Sequence, residues 1–329
     1  MIQTEQVSLS NRERYAGMLE ASLVADSLAL APHWIYDQGE ITEQFGRIAD
    51  LHAPPAGGYH AGKVLGAQTH YGDQELVLME SLEACAGNFV MEDFARRWRQ
   101  FWGESSSYRD HATKDTLAHL EVGDGLTQAG SDSTELGGPG RIAPLLLALR
   151  QEETPTIIAA VRAQTAMTHA SPLALDAAEF IARTVFLLLR GVSIASALRM
   201  TTTVAFRALP AADYLQKAES VAQLPTPEAV ESLGQSCPLQ KALPAAFAIL
   251  LQHGDSLETA LIENVMAGGD SAARGLVLGT LLGAAHGQRA IPQRWIEALQ
   301  ARSKIGSFLR IVGIGEALTQ PLPDLSGRC

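Results

Sequence analysis

Apolar residues recur at helical spacing through most of the chain, and few segments alternate apolar with polar residues. The pattern predicts an all-α fold. From Tyr15 to Leu30 the apolar run carries a stripe of small residues, Gly17, Ala21, Ala25 and Ala29, at intervals of four. A second stripe, Ser271, Gly275, Gly279, Gly283 and Gly287, runs along the segment that follows Gly268-Gly269. Residues four apart share one face of a helix, so another backbone can come close along such a stripe. Each glycine inside a helix costs roughly 1 kcal/mol relative to alanine, and only tight packing offsets several of them. The two helices are therefore expected to cross at short range, the second as the central helix, with Asp26 held near the crossing.

Other helical runs fall at Leu76 to Gly87, Met91 to Phe101, Thr113 to Leu120, Leu173 to Arg190, Ile194 to Leu209, Pro238 to Leu251 and Leu257 to Met266. No repeat of fixed period and no linker-like change of composition divides them, so one domain over residues 1–329 is expected. The segment Gly313 to Gly315 is expected to be a turn.

The candidate chemistry lies where helices begin. A glycine followed by aspartate opens a helical run twice, at Gly72-Asp73 and at Gly269-Asp270. Such an aspartate caps free N–H groups, serves a site, or does both. Asp73 is expected to cap its helix; beside Asp270 stand a hydroxyl, Ser271, and one turn on, Arg274. Asp26 sits inside an apolar run and must be paired or liganded, for structure or for a site. The stretch Gly123 to Gly140 holds six glycines and ends in Gly137-Gly138-Pro139-Gly140-Arg141. It is either a plain loop or a glycine-lined anion cradle, and without a preceding strand it is no dinucleotide fingerprint. Thr168-His169 precedes a long helix, where a histidine caps, packs or acts. His33 to Asp37 (HWIYD) and a Pro/Gly-rich loop, Ala53 to His70, lie between the first two helical runs.

Composition narrows the function. The 329 residues are 47% hydrophobic and 19% charged, enough for a large core. A formal charge of −11 and the lack of a Lys/Arg cluster argue against nucleic acid or an anionic membrane as partner. Small substrates stay open. The three cysteines, Cys85, Cys237 and Cys329, are far apart with no CxxC pair, which argues against a disulfide framework and a cysteine zinc site. A polar N-terminal stretch and the absence of any membrane-length apolar run lead to a cytoplasmic expectation.

The ordered set of Asp26, Asp73, the glycine loop ending in Arg141, Thr168-His169 and Gly268-Gly269-Asp270-Ser271 resembles the ADP-ribosylglycohydrolase superfamily over nearly the whole chain. HYGDQ (His70 to Gln74) and GGDSAAR (Gly268 to Arg274) look most like its J-crystallin branch. The resemblance implies an all-helical fold whose active members hold two magnesium or manganese ions and hydrolyse the glycosidic bond to ADP-ribose. Their first metal motif, Thr/Ser-Asp-Asp-Thr, falls on Tyr71, Gly72, Asp73 and Gln74, so only Asp73 is kept. Their second, Gly-Gly-Asp-Thr-Asp-Thr, falls on Gly268 to Ala273 and keeps Asp270 with a serine hydroxyl.

A hard divalent ion takes about six oxygen ligands, and glycine and alanine supply none from a side chain. The expectation is therefore at most one magnesium or manganese ion, on Asp73 and Asp270. The resemblance further implies Asp73, Asp270 and Glu75 as catalytic carboxylates, with Asp26 in support. Arg274, Arg141 and Lys114 would contact phosphate, Tyr108 or Trp34 would stack on base or ribose, and His169 and Ser271 would complete the substrate site. Surface salt bridges for Lys114 and Arg141, and core packing for Trp34, are the alternatives. The expected protein is a hydrolase of a small-molecule or ADP-ribosylated substrate, or else a binding or structural protein that keeps the fold without the chemistry. A serine hydrolase is disfavoured, since the chain has no GxSxG elbow.

Overall fold

A computed structural model describes residues 9–314, so Cys329 and the last glycine of the expected Gly313 to Gly315 turn lie outside it. Helices follow one another throughout. The first eight are α1 (Asn11–Ala29), α2 (Gln38–Phe45), α3 (His70–Ala84), α4 (Met91–Glu104), α5 (His111–Glu121), α6 (Gly137–Gly140), α7 (Ala143–Ala148) and α8 (Thr154–Ala166). Then come α9 (Pro172–Leu189), α10 (Ile194–Thr201), α11 (Ala211–Ser220), α12 (Thr226–Leu233) and α13 (Leu239–His253). The last four are α14 (Leu257–Met266), α15 (Ser271–His286), α16 (Gln293–Ala298) and α17 (Arg302–Ile311). Only isolated bridges, Ser131 to His169 and Glu135 to Pro238, pair extended backbone among the described residues. The fold is all-α and forms a single domain.

The two small-residue stripes meet. α1 packs on α15 more extensively than any other two elements pack, and α15 is buried from Ser271 to Ala284. A Cβ at Gly275 would stand 3.0 Å from the carbonyl oxygen of Ala25, while one at Gly279 or Gly283 would overlap the carbonyls of Ala21 and Gly17. Backbone thus lies directly on backbone. α1 itself is started by a capping box, in which Ser10 and Glu13 satisfy each other's N–H groups.

Asp26 follows Ala25 on α1 and reaches across to the start of α3. Its carboxylate accepts from the Thr69 N–H at 2.7 Å, from the Thr69 hydroxyl and from the Gly72 N–H at 3.2 Å. α3 therefore begins at His70 behind Thr69, and Asp73 is not its cap. The reason is Gly72: a Cβ there would overlap the Asp26 carboxylate, so this glycine sits inside the first turn to let Asp26 approach. Glycine marks close contact here, where the sequence pattern suggested a helix boundary.

The glycines that end the Gly123 to Gly140 stretch have a similar use. Gly137 and Gly138 are buried in α6, where a Cβ at Gly137 would overlap the Tyr71 ring and one at Gly138 would come within 2.5 Å of His169 Nδ1. They seat two rings and offer no open anion cradle.

Replacing Gly279 by Leu is expected to unfold the protein, and Gly279→Ala to cost about 3 kcal/mol in urea denaturation, the upper end for overpacking, since the clash is with backbone that cannot rotate away. Gly57→Ala, where nothing lies within 4 Å, is the neutral control. An unchanged midpoint for Gly279→Ala would show that the two helices do not touch in this way.

Candidate functional site

Three chain segments converge at the first turns of α3 and α15. Gly268 and Gly269 have φ of 72° and 68°, and a Cβ on Gly269 would overlap Gln235. Their backbone pairs with the segment after α1: Trp34 N–H donates to Gly269 at 2.9 Å and Gly269 N–H to Ile35 at 2.7 Å. Trp34 is held at φ 65°, a left-handed conformation that costs a bulky residue about 1–3 kcal/mol and persists because its N–H and the next carbonyl are both pinned to Gly269. That kink sets His33 against Asp270, with Nδ1 to Oδ1 at 3.7 Å.

Asp270 caps α15 by accepting from Ala273 N–H at 3.2 Å, and the Tyr71 hydroxyl donates to its other oxygen at 3.3 Å. Burial raises its pKa against the pull of the Cys237 thiol and Arg274. Arg274 is itself fully buried. It donates to Asn264 Oδ1 at 3.1 Å, to the Gln235 carbonyl at 3.1 Å and to the Gly268 carbonyl at 2.5 Å, clamping the loop that carries Asp270. Arg141 is equally enclosed, donating to Gln164 at 2.8 Å, Gln74 at 2.9 Å and the Thr168 hydroxyl. Burial lowers both guanidiniums to about 10. Both arginines are committed to protein oxygens and neither is open to a phosphate.

The other expected residues scatter in role. Asp73 pairs with Lys63 at 2.6 Å and accepts from Ser107 at 2.9 Å. Glu75 is buried and accepts from Ser22 at 2.9 Å, tying α3 to α1, and burial raises its pKa well above the usual carboxylate range. His169 shares a hydrogen bond with Thr168 at 2.9 Å, and burial lowers it to about 3. Ser271 is buried with its hydroxyl unpartnered. Lys114 is exposed and lies over the Tyr108 ring at 5.5 Å. Trp34 is half-buried and joins a ring cluster, 4.7 Å from Tyr59 and 4.9 Å from Tyr108 between centroids. Together these rings form an aromatic wall.

Residues that the sequence did not single out complete the site. His33, His60 and His70 are all buried, and one ring nitrogen from each lies within 4.8 Å of the others. None of their six ring nitrogens has a hydrogen-bond partner. Burial lowers His60 and His70 to about 3 and holds His33 well below the usual imidazole range. His70 Nε2 lies 3.6 Å from Asp110 Oδ2. Such a cluster could coordinate a metal ion. A cavity of about 230 Å³ adjoins it, lined by His33, Trp34, Tyr59 and His60 with Pro54 and Glu40. Glu135 is part-buried with one oxygen unpartnered, and burial, Asp110 and Asp270 raise its pKa to about 7.

Residues 8–321 match the family model described as ADP-ribosylglycohydrolase. The chain belongs to the ADP-ribosylglycohydrolase family. Among solved structures, an "ADP-ribosylglycohydrolase-related protein complex" superposes with a TM-score of 0.71 at 22% identity, covering 92% of this chain and 97% of that one. No curated protein matches the sequence. At this identity the likeness is one of fold.

The magnesium pair of active ADP-ribosylglycohydrolases does not fit these residues. Asp73 is neutralised by Lys63, Asp270 is spent on a helix cap and a tyrosine hydroxyl, and Gly72, Ala272 and Ala273 bring no side-chain oxygen. No helix among the described residues is long and apolar enough to cross a membrane.

Glu135 gives a test of the site's electrostatics. A carboxyl at about 7 when folded and 4.5 in its ordinary state binds its proton more tightly in the folded protein, so its stabilisation is full below pH 4.5 and lost as pH rises through 7. Glu135→Gln removes that loss. The variant should be more stable than the parent by about 1–2 kcal/mol at pH 8 and no more stable at pH 4.5, read by denaturation at both values. A pH-independent difference would mean that Glu135 is an ordinary exposed carboxylate.

Proposed function

We propose that the protein hydrolyses a glycosidic bond to ADP-ribose or a related nucleotide-sugar, and does so without paired magnesium ions. The observation that carries this reading is the juxtaposition of the Asp270 helix start with the aromatic wall of Trp34, Tyr59 and Tyr108 beside the cavity. A purine base or ribose stacks on such rings, and Lys114 over Tyr108 places a mobile cation at their edge for phosphate. Asp270 would stabilise the oxocarbenium-like transition state, and Asp73, relieved of Lys63, would orient water. Glu135, raised to about 7, suits a general acid for the leaving group. Asp26 and Glu75 position α3 for the others. The substrate would be a small nucleotide-sugar or an ADP-ribosylated acceptor, met in the cytoplasm.

One observation favours a second reading, a binding or structural protein of J-crystallin-like kind. Arg274, Arg141 and Asp270 are all engaged by the protein itself. Release of ADP-ribose from an ADP-ribosylated peptide and from nucleotide-sugars, with divalent ions supplied, separates the two. The hydrolase reading expects release by the parent and at least a hundredfold loss in Asp270→Asn with an unchanged melting temperature, because asparagine still caps a helix. No release by the parent leaves the binding role.

A further inference from the structure

We propose that His33, His60 and His70 bind one first-row transition-metal ion of the zinc class, with a coordination position open to the adjoining cavity. This site is separate from the aspartate motifs at which the family resemblance puts magnesium, and it does not depend on the hydrolase reading. Three observations meet here. The first is the ligand set: three imidazoles from separate segments, His33 after α1, His60 in the loop before α3 and His70 at the start of α3, bring nitrogens within 4.8 Å of one another. A tetrahedral ion with nitrogen at about 2.1 Å needs its ligands about 3.4 Å apart, so modest rotations of the rings close the set. Imidazole suits zinc, copper, nickel and iron, whereas magnesium prefers oxygen.

The second observation is the lack of any other use for these rings. A neutral imidazole carries one donor and one acceptor, and leaving either buried without a partner forfeits the hydrogen bond it had with water. All six nitrogens of the three rings are in that position. Packing alone does not explain placing three such rings together, since a phenyl ring would stack without the penalty.

The third is the surrounding shell. His33 Nδ1 faces Asp270 at 3.7 Å and His70 Nε2 faces Asp110 at 3.6 Å, and Asp110 Oδ2 has no other partner. A histidine that ligates a metal through one nitrogen commonly hands the proton on the other to a carboxylate. That pairing would fix the tautomers so that His33 ligates through Nε2 and His70 through Nδ1. The cavity reaches His33 and His60 and supplies both an entry path and room for water in the fourth position.

The test uses the full chain stripped with a chelator and titrated with zinc(II), cobalt(II) or magnesium(II) alone by calorimetry, with the visible bands of cobalt as a second readout. We expect one zinc or cobalt per chain, bound at least a hundredfold more tightly than magnesium, with cobalt bands of nitrogen ligation. His60→Ala lies in a loop and should keep the circular dichroism of the parent while weakening zinc at least a hundredfold. His111→Ala, an exposed histidine outside the cluster, should leave zinc binding unchanged. Absence of stoichiometric binding in the parent, or undiminished binding in a folded His60→Ala, overturns the proposal. Neither outcome depends on catalytic turnover, so a failed metal site and a failed hydrolase are told apart.

Discussion

The contact of α1 with α15, backbone against backbone, is the constraint on which the rest of the structure depends. Where Gly275, Gly279 and Gly283 meet the carbonyls of Ala25, Ala21 and Gly17, no side chain sets the distance between the helices. That closeness brings Asp26 within reach of Thr69 and Gly72, and so fixes where α3 begins. The start of α3 in turn delivers Tyr71 to Asp270 and His70 to the other two imidazoles. The local helical cost of each glycine, roughly 1 kcal/mol, is offset by dispersion where the two backbones touch.

Around this seam the interior is polar. Asp26, Glu75, Arg141, Arg274 and four histidines are buried, and the protein handles them in two ways. The arginines keep their charge because carbonyl and amide oxygens surround them. Glu75 and the histidines lie where burial favours the uncharged form. A site made largely of neutral donors differs in kind from one made of carboxylates, and the replacements at Gly72, Ala272 and Ala273 follow the same direction.

Much of the fold was legible in the sequence because small residues at intervals of four have one physical meaning, close approach of backbones. The same grammar was ambiguous at Gly72. Glycine before aspartate reads as a helix boundary, but Gly72 belongs inside α3, since what it accommodates is a carboxylate from a helix 46 positions earlier. Gly137 and Gly138 misled likewise: they make room for Tyr71 and His169, partners that only the folded chain supplies. Asp270 stood out because a cap and a site need the same residue in the same place. The histidines did not, because His33, His60 and His70 have no metal-ligand spacing and each sits in a motif with another apparent purpose.

The loop between α2 and α3 carries two of the groups that matter, His60 and Lys63, only three residues apart. One closes the imidazole trio and the other neutralises Asp73. Any excursion of this Pro/Gly-rich strap would therefore uncover a carboxylate and dismantle a nitrogen cluster in the same movement. The two halves of the cleft are latched by a single piece of chain, and neither can be retuned without disturbing its counterpart.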